Sequence, residues 1–417
     1  MLHLKALLLT GLTCNAIALA TPALAADHTA KEKVLYSFCA KSDCADGEGP
    51  FNLILDAAGN LYGTTLYGGE GNGVAFELSP QADGTWTEKV LHTFCSFNHC
   101  SDGAQPSGGL VFDEHGNLYG ATGFNCGVVF RLKPRPDGTW SEKVLHKFQM
   151  EKDGCGPTGN LALDAKGNVY GTTVNGNPYL YGIAFELSPT SRSPWKENAI
   201  YQFDWQTGAG PMGGLAIDSS GNLYGTTSLG GTINCPPQHQ ACGVVFELSP
   251  TKGGGWKETT LHSFNGLDGS YPVSNLIFDS SGNLYGTTVF GGEHSNGTVF
   301  ELAYSANGKW TEKVLRSFHD YRYVTSGVLL DTAGNLYGTT SSGGYFHSLC
   351  GDVGCGTLYE LSPDPTGPWT ETTLRSFGPA EDGEEPGGLV MDANGNLYGV
   401  TFYGGPNGGG VVFEITP

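Results

Sequence analysis

The sequence is poor in charged residues and has few long apolar runs. Asp, Glu, Lys and Arg together make up 15% of its 417 residues, too few for a coiled coil or a helical bundle. Beyond the first 25 residues, no apolar run approaches the ~20 residues of a membrane-spanning helix. Basic residues are fewer than acidic ones. The chain has 21 Lys and Arg and 41 Asp and Glu, which gives a net charge of −20. We therefore expect no nucleic-acid partner and no membrane span.

Glycine and aromatic residues are abundant instead. The chain has 65 Gly, 7 Trp, 19 Tyr and 21 Phe. The Gly shows no three-residue collagen period, and so many aromatic side chains exclude a disordered acidic protein. This composition favours an all-β protein of short strands joined by tight turns.

The first 25 residues are typical of a signal peptide. Lys5 precedes an apolar stretch, and Ala23-Leu24-Ala25 resembles a small-residue cleavage site. A membrane anchor and a lipoprotein attached through Cys14 are the alternatives. We expect residues 1–25 to be removed, residues 26–417 to form a single domain, and the protein to be secreted, either extracellular or periplasmic.

An internal repeat dominates the remaining chain. The motif Gly-Asn-(Leu/Val)-Tyr-Gly occurs seven times at intervals of 51 to 61 residues. Periods near 50 indicate propeller blades rather than helical repeats. The Asn of the motif is Asn60, Asn117, Asn168, Asn222, Asn283, Asn335 and Asn396.

Each unit predicts four antiparallel strands, a to d, as in a propeller blade. In the second unit they are residues 109–113, 117–122, 127–132 and 140–148. The last unit lacks strand d, whereas residues 32–38 match the strand-d sequence of the other units. The sequence thus predicts a seven-bladed β-propeller whose N-terminal strand completes the last blade and closes the ring.

The repeat resembles the GloVer-type tandem repeat of secreted bacterial proteins, and the resemblance covers residues 31–417. It implies a bacterial β-propeller and carries no chemistry that can be transferred. The Asp-x-x-Gly-Asn-Leu-Tyr stretch is also similar to repeats of lactonase-like propellers, at the level of fold only.

Residues that recur in every blade are interpreted as scaffold. An Asp ends each strand a, as at Asp113, where its carboxylate can accept backbone hydrogen bonds in a turn. One Glu recurs in each strand d, and seven copies argue for packing rather than catalysis. These residues are Glu32, Glu88, Glu142, Glu197, Glu258, Glu312 and Glu371.

The loops fall into two classes. The a-to-b and c-to-d turns are short and uniform, whereas the b-to-c and d-to-a loops vary and lie together on the opposite side, which we call the variable face. All ten Cys beyond residue 25 lie in or beside these variable loops. An even number in a secreted chain predicts disulfides rather than zinc. The predicted pairs are Cys39/Cys44, Cys95/Cys100, Cys126/Cys155, Cys235/Cys242 and Cys350/Cys355.

The variable face is predicted to be strongly acidic. Its loops carry sixteen Asp and Glu but only Lys41, Lys152 and Arg322 as basic residues. Such a face favours neutral glycans, cations or basic protein surfaces. No metal site is predicted and no cofactor is expected. Calcium stays an alternative, although no loop shows an EF-hand ligand series.

One d-to-a loop departs from the repeat and is the predicted ligand site. Most others read Asp-Gly-x-x-Pro, but the loop before blade six has neither Gly nor Pro. Aromatic rings, imidazoles and a guanidinium together suit a polar ligand. The candidate residues are His319, Tyr321, Arg322, Tyr323, Tyr345, Phe346 and His347.

Two other places are weaker candidates. Trp205 and His239 lie in loops beside blade four. Asn52, Asn160 and Asn275 begin strand a near the central channel, where lactonase-like propellers hold a metal, although no channel Glu accompanies them.

We therefore expect a monomeric scaffold that binds a glycan or a protein. No nucleophile, metal or phosphate-loop motif appears. The alternative is an extracellular enzyme, a glycan-active hydrolase or lyase or a lactonase, with a His or Tyr near blade six as base.

Overall fold

A computed structural model describes residues 30–176, 180–190, 195–231, 235, 242–305, 307–320, 322–324, 326–344, 350, 353–364 and 367–417. The segment predicted to be a signal peptide lies outside these residues. Single 3₁₀ turns lie at Ser42–Cys44, Asn98–Cys100 and Phe124–Cys126. None of the described helical segments has the length or apolar character needed to cross a membrane.

The strands form seven antiparallel sheets of four, as the repeat predicts. Blades one to six contain β2–β5, β6–β9, β10–β13, β14–β17, β18–β21 and β22–β25, and blade seven contains β26–β28 and β1. The strands are β1 (Lys31–Ser37), β2 (Glu48–Leu55), β3 (Leu61–Tyr67), β4 (Val74–Pro80), β5 (Trp86–Thr93), β6 (Val111–Phe112), β7 (Leu118–Thr122), β8 (Val128–Pro134), β9 (Trp140–Lys147), β10 (Cys155–Leu163), β11 (Val169–Asn175), β12 (Ile183–Ser188), β13 (Lys196–Gln202), β14 (Ala216–Ile217), β15 (Leu223–Thr227), β16 (Val244–Pro250), β17 (Trp256–Ser263), β18 (Ile277–Phe278), β19 (Leu284–Thr288), β20 (Thr298–Tyr304), β21 (Trp310–Ser317), β22 (Leu329–Leu330), β23 (Leu336–Thr340), β24 (Thr357–Ser362), β25 (Thr370–Ser376), β26 (Glu384–Met391), β27 (Leu397–Tyr403) and β28 (Val411–Thr416).

The predicted closure of the ring is confirmed. Strand β1 pairs antiparallel with β28, from Lys31 opposite Thr416 to Ser37 opposite Val411. Phe38, just after β1, is fully buried, and its amide donates to the carbonyl of Gly410 at 3.0 Å. The first described strand therefore completes the last blade and covers an edge that would otherwise be open.

The Asp at the end of strand a locks the turn that follows. Oδ1 of Asp113 accepts the amides of His115 and Asn117, each at 2.9 Å, and Oδ2 accepts Asn117 Nδ2 and Tyr119 Oη at 2.7 and 3.1 Å. Burial alone would raise the pKa of Asp113, but the bonds from Asn117 outweigh it, and the pKa lies below its usual value. The same bonds form in the other blades, so the turn interpretation of these acids agrees with the structure.

The Gly that ends the repeat motif makes room for an aromatic core residue. A Cβ on Gly120 would lie 2.5 Å from Cζ of Phe130, a ring on the neighbouring strand c. The equivalent rings are fully buried in every blade. In blade six the ring belongs to Tyr359, whose buried hydroxyl has no hydrogen-bond partner in the described part of the chain.

The five predicted disulfides are all formed. They join Cys39 to Cys44, Cys95 to Cys100, Cys126 to Cys155, Cys235 to Cys242 and Cys350 to Cys355. Four close short loops, whereas the third links the b-to-c loop of blade two to the loop that enters blade three. That link places both kinds of variable loop on one face of the ring. Five disulfides indicate a protein outside the reducing cytoplasm.

Candidate functional site

In six of the seven blades, the d-to-a loop places one described residue in a left-handed backbone conformation on the variable face. This residue precedes a Pro that lies in strand a or a few residues before it. In blades one, three and four it is glycine, Gly49, Gly156 and Gly210, with φ between 61° and 69°. Blades two, five and seven use non-glycine residues there, namely Gln105, Tyr271 and Glu385, with φ of 55°, 61° and 55°. A bulky residue in this region costs about 1–2 kcal/mol relative to glycine.

Tyr323 occupies the equivalent place in the irregular loop before blade six. Its carbonyl accepts the amide of Ser341 at 2.8 Å, as the carbonyl of Tyr271 accepts that of Val289 at 3.2 Å in blade five. Val324, in the place of the usual Pro, is fully buried. Blades five, six and seven therefore present Tyr, Tyr and Glu at successive equivalent positions.

Three aromatic rings form a continuous arc across blades five and six. Phe290 lies between the two tyrosines, with ring centroids 5.8 Å from Tyr271 and 5.9 Å from Tyr323. Phe290 is 37% exposed. We call Tyr271, Phe290 and Tyr323 the aromatic arc, a surface suited to the apolar face of a ring-shaped ligand.

The arc ends at a cavity of about 250 Å³ between blades six and seven. Partial burial raises the pKa of Glu384, and partial burial together with the charge of Glu384 raises the pKa of Glu385. The cavity thus combines an aromatic wall with carboxylates and hydroxyl groups. It is lined by Tyr323, Ser341, Ser342, Val353, Gly354, Glu384, Glu385 and the Cys350–Cys355 disulfide.

The predicted site residues that the structure describes point to different places. Tyr323 lines the cavity. Arg322 instead pairs with Glu371 of strand β25, and its side chain is 19% exposed. His319 pairs with Asp320 and packs edge-on against the ring of His294 at 5.9 Å. The described part of the predicted cluster therefore does not converge on one point.

Other predicted residues lie outside the described part of the chain. These are Tyr321, Tyr345, Phe346 and His347 of the blade-six sector, and His239 of the weaker candidate near blade four. Trp205, the other residue of that weaker candidate, is 41% exposed and packs against Tyr181 at 5.8 Å.

The acidic character of the variable face is smaller than a count of loop residues predicts. Asp46, Asp102, Asp153 and Asp382 are at most 3% exposed. Each accepts backbone amides of its own loop, as Oδ2 of Asp46 accepts the amide of Ala40 at 2.9 Å. These four carboxylates fold the loops and do not face a ligand.

In three blades the recurrent Glu of strand d forms an ion pair with a side chain from the preceding blade or loop, at the rim of the ring. Glu88 pairs with Lys41 at 2.6 Å, and Glu32 pairs with Arg375 at 2.5 Å. Arg375 also binds Asp382 at 2.5 Å. We call each such group of a Glu and the side chains from the preceding blade an outer clasp. The scaffold interpretation of these Glu residues fits this arrangement.

Three outer clasps contain His instead of a permanent cation. Nε2 of His146 lies 2.9 Å from Oδ2 of Asp153, and the same atoms of His92 and Asp102 are 3.2 Å apart. Glu142 of the next blade is close enough to Asp102 to feel its charge. Burial, with a smaller contribution from that charge, raises the pKa of Glu142 to about 7. Glu142 therefore changes charge near pH 7.

One outer clasp has the donor atoms of a metal site. Ligand atoms of His262, Asp268 and Glu312 all lie within 4.8 Å of one another. A set that includes imidazole suits zinc better than calcium, which prefers oxygen ligands. Glu48 and Glu384 also lie near two Cys each, but those thiols are in disulfides. Calcium stays the alternative to the expectation of no cofactor.

The channel asparagines tie adjacent blades together. Oδ1 of Asn160 accepts the amide of Gly109 at 2.9 Å, and Oδ1 of Asn275 accepts that of Gly214 at 2.6 Å. A Cβ on Gly388 would lie 2.4 Å from Oδ1 of Asn52. Asn160 and Asn275 thus bond across neighbouring blades at the centre of the ring.

Sequence reasoning missed Tyr271, Phe290 and Glu385 as members of one surface. A signal was present, because the residue before the Pro of Asp-Gly-x-x-Pro is Gly in some blades and large in others. It can be interpreted only once that position is known to be left-handed.

Comparison with known proteins supports the fold and the repeat. The Gloeobacter/Verrucomicrobia repeat matches residues 23–162, 122–350 and 237–417. No curated protein matches the chain. The extracellular domain of a protein classed as a hybrid two-component system from B. thetaiotaomicron is similar in fold, with 13% identity and a TM-score of 0.57. The match covers 92% of this chain and 39% of that one.

Two lactonase structures have weaker similarity. One is classed as a 6-phosphogluconolactonase from Bacteroides uniformis, with 14% identity, a TM-score of 0.48 and coverage of 77% of this chain and 83% of that one. The other is a gluconolactonase from Xanthomonas campestris, with 16% identity, a TM-score of 0.43 and coverage of 76% and 87%.

Proposed function

Because the chain belongs to the Gloeobacter/Verrucomicrobia repeat family and folds as a disulfide-bonded propeller, we propose that it is an exported protein that binds a neutral glycan. The ligand binds on the variable face, along the aromatic arc and in the cavity at its end. The rigid ring serves as the scaffold for this surface.

One observation carries the proposal: the left-handed conformation of Tyr271 and Glu385. The same position is glycine in three other blades, so the ring geometry itself does not require a side chain there. Strained residues of this kind persist where function needs them. Tyr271 belongs to the aromatic arc and Glu385 lines the cavity, and Tyr323 occupies the equivalent place in the blade between them.

The chemistry of the surface favours a neutral sugar. Phe290 and Tyr323 offer ring faces to the C–H surface of a pyranose, while Ser341 and Glu385 offer groups that bind sugar hydroxyls. Arg322 is held by Glu371 and leaves the carboxylates of the cavity without this counter-charge. Uronic acids and sulfated sugars are therefore disfavoured.

Two other functions have specific support. A basic protein surface suits the excess of acid on this face. Catalysis on a polysaccharide or lactone is favoured by the neighbouring carboxylates of Glu384 and Glu385, whose raised pKa values suit a general acid. Glycan binding explains the aromatic arc, which neither alternative requires.

A glycan array probed with the protein lacking residues 1–25 tests the proposal. We expect binding to neutral oligosaccharides and loss of that binding in Tyr323→Ala. Gln105→Gly changes the equivalent position on the other side of the ring and is the matched control. Binding that is unchanged in Tyr323→Ala would place the ligand elsewhere.

The same oligosaccharides, incubated with the protein and analysed for products, test catalysis. Intact sugars support a binding role. If the sugars are cleaved and the cleavage disappears in Glu385→Gln, the protein is an enzyme and the binding role is wrong.

A further inference from the structure

Lysine side chains close some of the clefts between neighbouring blades on the face opposite the variable face. Nζ of Lys33 in blade seven donates to the carbonyl of Gly84 in the c-to-d turn of blade one, at 2.6 Å. Nζ of Lys89 in blade one donates to Gly138 of blade two, also at 2.6 Å. Lys89 Nζ also lies 3.9 Å from Oε2 of Glu77, the residue opposite it on strand c.

Blade four lacks this lysine. Thr259 stands at its position, opposite Glu247, and is too short to reach blade five. Oε1 of Glu247 accepts the hydroxyl of Ser249 at 2.7 Å. Within the described ranges, Glu247 has no ion-pair partner, whereas the equivalent Glu77 faces an ammonium group.

The wall of this cleft that blade five forms also differs from the equivalent wall in the other blades. Strand c is followed or ended by Pro in the other blades, as at Pro80 and Pro250, but blade five has Tyr304 there. Its ring is 55% exposed and lies 4.9 Å from the ring of Trp310 at an angle of 49°. An exposed tyrosine beside a tryptophan is unexplained by the fold, because Pro satisfies the same turn elsewhere.

Glu247, which has no lysine opposite it, and Tyr304, which replaces Pro, both line one cavity of about 610 Å³ between blades four and five. Its walls include Glu247, Tyr304 and Trp310, and also Asp218 and Asp279 of the a-to-b turns. The volume lies within the range of small-molecule sites. Carboxylates beside aromatic rings favour a ligand that is both cationic and ring-shaped.

We propose that this cleft is a second ligand site, which binds a hexosamine with a free amino group. The ammonium takes the position that Lys89 fills between blades one and two, next to the carboxylate of Glu247. The pyranose ring stacks on Tyr304 and Trp310. The site lies on the face opposite the aromatic arc and does not depend on the glycan binding proposed there.

A glucosamine tetrasaccharide is the probe, and its fully N-acetylated form is the paired control ligand. Calorimetric titration of the protein should show saturable binding of the free amine and at least about tenfold weaker binding of the acetylated form, a difference of ~1.4 kcal/mol. Equal binding of both would overturn the ammonium assignment. Equally tight binding of Nα-acetyl-lysine amide, which has an ammonium group but no sugar ring, would overturn the hexosamine assignment. Absence of any binding would overturn the site.

Thr259→Lys restores the residue that closes other clefts and should abolish binding without loss of thermal stability. Thr372→Lys makes the same change opposite Glu360 in blade six and should leave binding intact. Tyr304→Ala should also weaken binding. If Thr259→Lys binds the probe normally, the cleft is not the site. Tyr323→Ala should have no effect on this titration, so its result is independent of the variable face.

Discussion

Arg322 donates from Nη1 to Oε1 of Glu371, a carboxylate in the next blade whose side chain is 7% exposed. Arg316 lies on the other side of that carboxylate, with Nε 2.7 Å from Oε2. One guanidinium group from strand d of blade five and one from the loop that follows it thus hold a single buried Glu of blade six. The irregular loop before blade six contributes Arg322 to an outer clasp and Tyr323 to the ligand-binding surface.

Separate substitution of Arg322 and Tyr323 should show that the first supports stability and the second supports ligand binding. Arg322→Ala should lower the free energy of unfolding by about 1–3 kcal/mol, because it leaves a buried carboxylate with half of its compensation. Its effect on glycan binding should be small. Tyr323→Ala should abolish binding with a stability change within about 0.5 kcal/mol. Urea unfolding and glycan titration of both variants provide the test, and the opposite assignment of effects would contradict it.

The sequence predicted the ring because its evidence repeats seven times. The Asp113 turn, the Gly120 and Phe130 contact and the strand that precedes Phe38 each recur at fixed spacing. The site depends on residues that occur once and lie far apart in the chain. Which way Arg322 and Tyr323 point is decided by Glu371 and Phe290, and no local pattern connects those positions.

Relief of backbone strain at Glu385 should stabilise the protein. Glu385→Gly introduces the residue that blades one, three and four use at this position, and it should raise the free energy of unfolding by up to about 1 kcal/mol. The same variant should bind glycan more weakly. Gln105→Gly relieves an equivalent conformation in blade two and should stabilise equally without any effect on binding. A Glu385→Gly variant that is destabilised would show that the side chain supports the loop.

Tyr359→Phe should also stabilise the protein. The hydroxyl of Tyr359 is buried without a partner among the described residues, and burial raises its pKa far above the usual value, with a further contribution from the charge of Glu371. Phe is the residue at this position in the other six blades. Removal of an unsatisfied hydroxyl is expected to gain about 1 kcal/mol. Thermal unfolding of the two proteins measures the gain, and a lower melting temperature in Tyr359→Phe would indicate that the hydroxyl is satisfied.

The outer clasps should make stability depend on pH. The folded pKa of Glu142 is raised from 4.5 to about 7, so the folded state binds a proton more tightly than the unfolded state does. Its contribution to stability is complete below pH 4.5 and is lost as the pH rises through about 7. His92 acts in the opposite sense, because burial lowers its pKa and its contribution is lost as the pH falls below 6.5.

Glu142→Gln keeps the protonated shape and should remove the loss at high pH. The variant should match the unmodified protein near pH 4.5 and exceed it in melting temperature at pH 8. Glu114→Gln, at an exposed turn residue, is the control and should leave the profile unchanged. A Glu142→Gln profile that stays parallel to the original would contradict the role of Glu142.

Removal of residues 26–38 should open the ring. This deletion takes away strand β1, exposes the backbone edge of β28, and removes the buried side chains of Leu35 and Phe38. Loss of a large core side chain typically costs about 2–5 kcal/mol, and an exposed strand edge can pair with other chains. We expect a lower melting temperature and concentration-dependent aggregation, measured by calorimetry and light scattering. Removal of residues 26–30 alone spares β1 and should have neither effect. A truncated protein without residues 26–38 that stays monomeric with unchanged melting would show that β1 is not needed to close the propeller.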